Sequence, residues 1–266
     1  MTAAPEPPRL EAVLAALHGS HDLLAATLGG IPDDQVAGPS YDDEWSLAQV
    51  ASHLGSGAEV FGLLLDAGLQ HTAAPGVEQF QPIWERWNTK APVEQTRDAL
   101  GADEAFLRKV DDLSHAQRER WRLDLFGAEQ TLIGLLRMRL AEHALHTWDI
   151  AVALDPTATV PADAADLVID NLAPLVERTG RPVPEPFTVD VLTQAPDRRL
   201  RLELTGDGAR LTPLPADTRA TGPVLAMPGE AFVRLVYGRL DPGHTPDAVR
   251  ATGVDLDLLR PAFPGL

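Results

Sequence analysis

The chain has 266 residues, a formal net charge of −17 and no cysteine, and 44% of its residues are hydrophobic. Its length favours two domains. The negative charge disfavours binding to nucleic acids and to anionic membranes, and the lack of cysteine excludes disulfides, thiolate metal ligands and a cysteine nucleophile. Any thiol chemistry would therefore need sulfur from a small molecule.

Nothing in the sequence indicates export or membrane insertion. Residues 1–8 have neither a basic segment nor an apolar run, so we expect no signal peptide there. No apolar stretch approaches the roughly 18 residues of a membrane span. We therefore expect a cytoplasmic protein, with a monomer favoured and a small anionic or electrophilic molecule as its substrate.

Four stretches in the first part of the chain repeat apolar residues at helical spacing. They cover residues 9–28, 46–68, 92–113 and 129–154. Ser46 is a predicted N-cap, and Trp84 and Trp87 fall in a short connecting segment. Helices joined in this way predict an antiparallel four-helix bundle over residues 1–156.

Beyond Pro156 prolines become frequent and the pattern changes. A helix is predicted over residues 162–178 and another over residues 229–238. Between them, alternating strands begin at Phe187, Leu200 and Ala209, and residues 206–208 (GDG) predict a tight turn between the last two strands. Residues 157–266 are thus predicted to form a small α+β domain, so the fold class is α plus α+β.

The last predicted helix of the bundle carries a polar stripe on an otherwise apolar surface. Arg139, Glu142, His146 and Asp149 fall within about 80° of one another at 100° per residue, whereas His143 lies about 60° beyond His146 and is left out. Polar groups on a buried helix are costly unless they are paired or bind a metal. Glu142 and His146, at positions i and i+4, can converge on a zinc ion at about 2.0–2.2 Å. Asp149 could accept the other imidazole N–H of His146.

His53, midway along the second helix, is the predicted third ligand. Ser56 and Gly57, one turn further on, leave room for another molecule beside the ion. Three protein ligands leave a fourth position open, which is the pattern of catalytic zinc sites. A Glu-x-x-x-His pair also arises by chance, and a lone histidine is more often an ordinary core or surface residue. His21 and the other histidines are interpreted in that ordinary way.

Two segments resemble a known family. Residues 45–54 (WSLAQVASHL) resemble the second-helix motif of the DinB-like metal bundles, and residues 142–149 (EHALHTWD) resemble the matching fourth-helix motif. With Glu142 in its first place, the second motif is similar to that of the mycothiol-dependent maleylpyruvate isomerases. Those proteins also carry a C-terminal domain similar to sterol carrier folds, whose closing segment resembles residues 222–239. The resemblance covers nearly the whole chain.

The resemblance implies zinc at His53, Glu142 and His146, with mycothiol as thiol co-substrate. Zinc would hold the mycothiol sulfur as a thiolate, which adds to the double bond of an unsaturated acid. Rotation and loss of the thiol give cis–trans isomerisation, whereas retention gives thiol S-transfer. Arg239 is predicted to bind the substrate carboxylate, with Arg139 as the alternative. Arg239 could equally complement the C-terminal dipole of its helix.

Two other functions stay open. A metal-dependent hydrolase would hold water at the open position, with Asp149 as general base. A carrier protein would bind an apolar ligand in the C-terminal domain and use the bundle as a scaffold. Family members share the site but differ in substrate, so maleylpyruvate is only one candidate.

Overall fold

The computed structural model describes residues 10–42, 44–219 and 222–265. Residues 1–8, for which we expected no signal peptide, and Arg9, the predicted start of the first helix, lie outside these ranges. The chain divides into two compact units, one spanning Pro8–Ala158 and the other containing Thr159–Leu266. Among the described residues, no helix combines the length and apolar character needed to cross a membrane.

The first unit is a helical bundle with a small hairpin. Its elements are α1 (Leu10–Gly29), α2 (Leu47–Gln70), α3 (Val77–Asn88), α4 (Pro92–Asp111), α5 (His115–Arg120), β1 (Arg122–Leu125), β2 (Ala128–Thr131) and α6 (Leu132–Leu154). The long helices α1, α2, α4 and α6 are those predicted from the sequence. Both α1 and α2 pack against α4 and against α6, which gives the predicted four-helix bundle.

The start of α2 is fixed by its predicted cap. Ser46 Oγ accepts a hydrogen bond from the backbone N–H of Gln49 at 3.2 Å, and the Gln49 side chain accepts one from the backbone N–H of Ser46 at 2.9 Å. This reciprocal pair satisfies two amide groups that the helix leaves unpaired. Because His53 lies about two turns beyond Ser46, the cap also sets where His53 stands on the helix.

The predicted start of α6 at Glu129 is wrong, because Ala128–Thr131 forms β2, which pairs antiparallel with β1. Phe126 and Gly127, between the strands, have positive φ values of 54° and 78°, as the two-residue hairpin turn requires. Thr131 then caps α6, since its Oγ1 accepts from the backbone N–H of Gly134 at 3.2 Å. Four-residue strands are too short to show a clear alternating pattern, so only Gly127 signalled the turn.

The segment predicted as a connection between the second and third long helices is itself the helix α3. Pro82 lies inside α3 and masks its periodicity in the sequence. The ring of Trp87 is buried against Gly55 of α2, where an added Cβ would lie 2.3 Å from the nearest ring carbon. Trp87 Nε1 also donates to Glu59 at 2.8 Å, so this one side chain fixes α3 on α2.

The second unit is a mixed sheet with helices, as the α+β prediction states. Its elements are α7 (Ala162–Ile169), α8 (Leu172–Thr179), β3 (Phe187–Gln194), β4 (Arg198–Thr205), β5 (Gly208–Pro213), β6 (Val224–Pro228), α9 (Gly229–Val236), β7 (Arg250–Thr252) and α10 (Leu256–Leu259). The strand order is β5-β4-β3-β6-β7. Only the β3–β6 pair is parallel among the described strands. Helix α8 packs on β5, and α9 packs on β3 and β6.

Two predictions for this unit need correction. The single helix predicted over residues 162–178 is two helices, α7 and α8, because Pro174 has no N–H for the carbonyl of Asp170 and its ring would clash there. Strands β6 and β7, of five and three residues, were not predicted. The predicted turn between β4 and β5 is confirmed, since Thr205 pairs with Gly208 across it.

Candidate metal centre

The bundle brings the three predicted metal ligands together from α2 and α6. His53 Nε2 lies 3.4 Å from Glu142 Oε2, and His146 Nε2 lies 3.7 Å from the same oxygen. One ligand atom of each residue lies within 4.8 Å of the other two. Tetrahedral zinc ligands at about 2.0–2.2 Å stand about 3.3–3.6 Å apart from one another. The observed spacing therefore fits a zinc ion with only small side-chain movements.

The charge states of the ligands also suit a metal. Burial lowers the pKa of His53 more than its hydrogen bond to Glu142 raises it, which favours the neutral imidazole. Burial raises the pKa of Glu142, but the neighbouring His146 and His53 outweigh it and hold that pKa well below its usual range. Neutral imidazole and ionised carboxylate are the forms that coordinate metals. The side chains of His53 and Glu142 are 38% and 35% exposed, so the centre can be reached from solvent.

Asp149 contacts the ring nitrogen of His146 that does not face Glu142. Its Oδ2 lies 2.9 Å from His146 Nδ1, and the Asp149 side chain is only 1% exposed. When Nδ1 donates to this carboxylate, Nε2 is left as the nitrogen that can coordinate. The Asp149 carbonyl accepts from the backbone N–H of Tyr41 at 3.0 Å, which ties the loop before α2 to this turn of α6. The contact between the Asp149 carboxylate and His146 Nδ1 is the one that the spacing of these two residues predicts.

Trp45 covers the two imidazoles, a role that the sequence reasoning did not assign. Its ring centroid lies 5.2 Å from that of His53 and 6.2 Å from that of His146, and it is nearly parallel to the latter at 23°. The two imidazole centroids are 4.4 Å apart. The indole therefore restricts both rings to a narrow range of orientations. Its position directly before the N-cap Ser46 was the available signal.

Ser56 and Gly57 do not line an evident open space. Ser56 is buried, and its Oγ donates to the carbonyl of His53 at 3.0 Å within the same helix. A Cβ added to Gly57 would lie 2.9 Å from Nη1 of Arg139, so the guanidinium occupies the space beside Gly57. A role for these two residues in binding a thiol stays a prediction.

Arg139 and His143 of α6 point into the core of the bundle. Arg139 is 1% exposed, and its Nη2 donates to Asp103 Oδ1 at 2.7 Å and to the carbonyl of Leu54 at 2.9 Å. His143 is fully buried, with its Nδ1 2.7 Å from Ser20 Oγ. This placement argues against Arg139 as a substrate or cofactor ligand, and it agrees with the exclusion of His143 from the metal centre.

The buried partner Asp103 was missed in the sequence. It is spaced at helical intervals with the buried Ala99, Phe106 and Val110 of α4, so it lies within the apolar stripe of that helix. A carboxylate in such a stripe signals a buried partner, because an unpaired buried charge is too costly to keep.

Arg239, the predicted carboxylate-binding residue, follows α9 in the second unit. Its Nη1 donates to the carbonyl of Tyr237 at 2.9 Å. The fully buried arginine nearby is Arg234, which pairs with Glu230 one turn earlier in α9 at 2.7 Å. The role of Arg239 in substrate binding stays a prediction.

Comparison with known proteins places this architecture in a family. The sequence matches the family described as "Mycothiol maleylpyruvate isomerase N-terminal domain" over residues 17–151, just over half of the chain. No curated protein shows a significant sequence match. The structure resembles a crystal structure of the mycothiol-dependent maleylpyruvate isomerase, with a TM-score of 0.66 and 15% identity over 93% of this chain and 95% of that one.

A second crystal structure, of a histidine-to-alanine mutant of that isomerase, gives the same TM-score of 0.66 and the same coverage at 14% identity. At this level of identity the two structures establish a shared fold and nothing more. The sequence match extends over the helices that carry His53, Glu142 and His146. The chain therefore belongs to the mycothiol maleylpyruvate isomerase N-terminal domain family.

Proposed function

We propose that the bundle binds one zinc ion through His53, Glu142 and His146, and that the protein uses mycothiol as a thiol co-substrate to isomerise a small unsaturated acid. The observation that carries this proposal is the convergence of three donor atoms within 4.8 Å in a chain of this family. The absence of cysteine supports it, because the reacting sulfur then has to come from a small molecule.

The chemistry needs no redox partner. Zinc would supply the positive charge that keeps a thiol ionised near neutral pH. A thiolate that adds to a carbon–carbon double bond converts it to a single bond, which can rotate. Loss of the thiolate then restores the double bond with the opposite geometry, and the thiol is regenerated. If a proton is instead delivered to the neighbouring carbon and the sulfur stays, the same site carries out thiol transfer.

The residues of this chain have separate roles in the proposal. His53, Glu142 and His146 hold the metal, and Asp149 fixes the orientation of His146. Trp45 covers the imidazoles on one side, which leaves the solvent-exposed parts of His53 and Glu142 as the approach for the two substrates. Arg239 is the proposed partner of the substrate carboxylate, since a guanidinium recognises a carboxylate through two parallel hydrogen bonds.

The metal part of the proposal is tested by elemental analysis of purified variants. We expect about one zinc per chain in the wild type and loss of most of it in His53→Ala, Glu142→Ala and His146→Ala. His115→Ala is the matched control, because His115 is 86% exposed on α5 and should leave the zinc content unchanged. Full zinc content in all three ligand variants would contradict the site.

The thiol part is tested separately. Zinc-edge X-ray absorption should show a sulfur neighbour at about 2.3 Å when mycothiol is added to the zinc-loaded protein. Turnover of unsaturated acids should require the thiol. A zinc shell that keeps only nitrogen and oxygen ligands at saturating thiol, together with thiol-independent turnover, would contradict the proposal and favour the hydrolase function instead.

A further inference from the structure

A buried ion pair joins three helices of the bundle close to the proposed metal ligands. Arg139 of α6 and Asp103 of α4 are 1% and 2% exposed, and their charged atoms lie 2.7 Å apart. The same Nη2 of Arg139 donates to the carbonyl of Leu54 on α2 at 2.9 Å. One guanidinium therefore connects α2, α4 and α6.

Two histidines also contact Asp103. Its Oδ2 lies 2.8 Å from His21 Nδ1 and 3.0 Å from His143 Nε2. Burial raises the pKa of Asp103. The neighbouring His143 and Arg139 and the hydrogen bond to His21 lower it by a larger amount, so this pKa lies well below its usual range. A buried ion pair is a weak source of stability, since removing two charges from water costs about as much as their attraction returns. Stability alone therefore does not account for a pair placed here.

Its position along the helices points to another role. Leu54 directly follows His53, and Arg139 precedes Glu142 by three residues, which is less than one helical turn. We propose that Arg139, held by Asp103, is a positioning residue for the metal centre: it fixes α2 against α6 at the level of His53 and so sets the separation of His53 from Glu142 and His146. This inference rests on the proposed metal binding.

Gly57 supplies an independent observation. A Cβ at Gly57 would lie 2.9 Å from Nη1 of Arg139, which is closer than real Cβ contacts. That nitrogen belongs to the guanidinium whose Nη2 is already held by Asp103 and by the Leu54 carbonyl, so moving Nη1 away shifts the guanidinium against both of these bonds. The guanidinium therefore approaches α2 closely at a position that has no side chain.

The decisive variant is Gly57→Ala, which displaces the guanidinium and leaves its charge in place. Alanine also favours a helix over glycine, so the fold should persist. We expect the dissociation constant for zinc to rise about tenfold, the lower end of the range for residues that act through a metal ligand. The measurement is competition with a zinc chelator in the absence of thiol and substrate, so enzyme activity is not the readout.

Gly62→Ala is the matched control on the same helix, because a Cβ there meets nothing within 4 Å. It should bind zinc as tightly as the wild type. Arg139→Lys should also weaken zinc binding, since the lysine side chain is one bond shorter and its ammonium cannot reach the place of Nη2 between Asp103 and the Leu54 carbonyl. If Gly57→Ala acts through Arg139, adding it to Arg139→Lys should lower the affinity by less than a further twofold.

The outcomes separate this inference from the proposed function. Equal zinc affinities of Gly57→Ala and Gly62→Ala, in a protein whose wild type binds zinc tightly, would overturn the positioning role and leave the metal site intact. A full additional loss on adding Gly57→Ala to Arg139→Lys would also overturn it, because Gly57 would then act independently of Arg139. A wild type that binds no zinc would overturn both.

Discussion

Replacing Asp149 by asparagine tests the metal centre most directly. The change keeps the size of a side chain that is 1% exposed, and it removes the charge that faces His146 Nδ1 at 2.9 Å. The asparagine oxygen can still accept this N–H. A hydrogen bond to a charged acceptor, however, is roughly twice as strong as a neutral one, so His146 would lose basicity and orientation.

The expected loss can be converted into a thermal shift. Removing such a partner weakens metal binding by about 10–100-fold, or about 1.4–2.7 kcal/mol. At free zinc equal to about 100 times the wild-type Kd, bound zinc stabilises the wild type by about 2.7 kcal/mol and the variant by about 0.4–1.4 kcal/mol. With about 2–4 °C per kcal/mol for a unit of this size, the rise in Tm on adding zinc falls from about 5–11 °C to about 1–6 °C.

The assay pairs chelator competition with thermal unfolding, each with and without zinc. Asp155→Asn is the control, because Asp155 is exposed just beyond the end of α6 and contacts Thr157. If Asp149→Asn binds zinc as tightly as Asp155→Asn, the orienting role is refuted. Retained zinc with lost turnover would instead indicate that Asp149 moves a proton during the reaction, as the hydrolase hypothesis requires.

Two further predictions concern the bundle itself. Gly55→Ala should lower the free energy of unfolding by about 1–3 kcal/mol in urea denaturation, because its Cβ would lie 2.3 Å from the Trp87 ring, and equal stability of Gly55→Ala and Gly62→Ala would contradict this packing. The hydrogen bond to Asp103 raises the pKa of His21 above its ordinary value of 6.5. The pair of His21 and Asp103 therefore stabilises the folded protein fully below pH 6.5, and this contribution is lost as the pH rises through the pKa of His21 in the folded state. Wild type should therefore lose more stability between pH 6 and pH 8 than His21→Gln, and parallel losses would argue against the pair.

The parts of the fold that the sequence predicted are those with long, regular signals. The four bundle helices each repeat apolar residues over about five or more turns, and Ser46 marks the start of α2 through its own side chain. Short elements were missed, because three to five residues cannot show a period. The β1–β2 hairpin and strands β6 and β7 belong to this group.

The three candidate metal ligands were predictable for a different reason. Glu142 and His146 are one turn apart on one helix, so their convergence follows from helix geometry. The addition of His53 required the packing of α2 against α6, which the predicted bundle supplied and the resemblance to the family's motifs then supported. The arrangement of Trp45 over the imidazoles depends on the conformation of the loop before α2, which the position of Trp45 beside the N-cap Ser46 does not by itself determine.

The polar stripe of α6 serves two purposes, although the sequence suggested one. At 100° per residue, Glu142, His146 and Asp149 span about 60°, and Arg139 and His143 lie only about 40° apart on the adjoining side. The first group forms the candidate metal centre, whereas the second is buried with Asp103 and Ser20. Because one rigid helix carries both groups, the rotation of α6 that satisfies the buried pair also fixes the direction of Glu142 and His146. The buried cluster and the candidate metal centre are therefore two consequences of the same helix rotation.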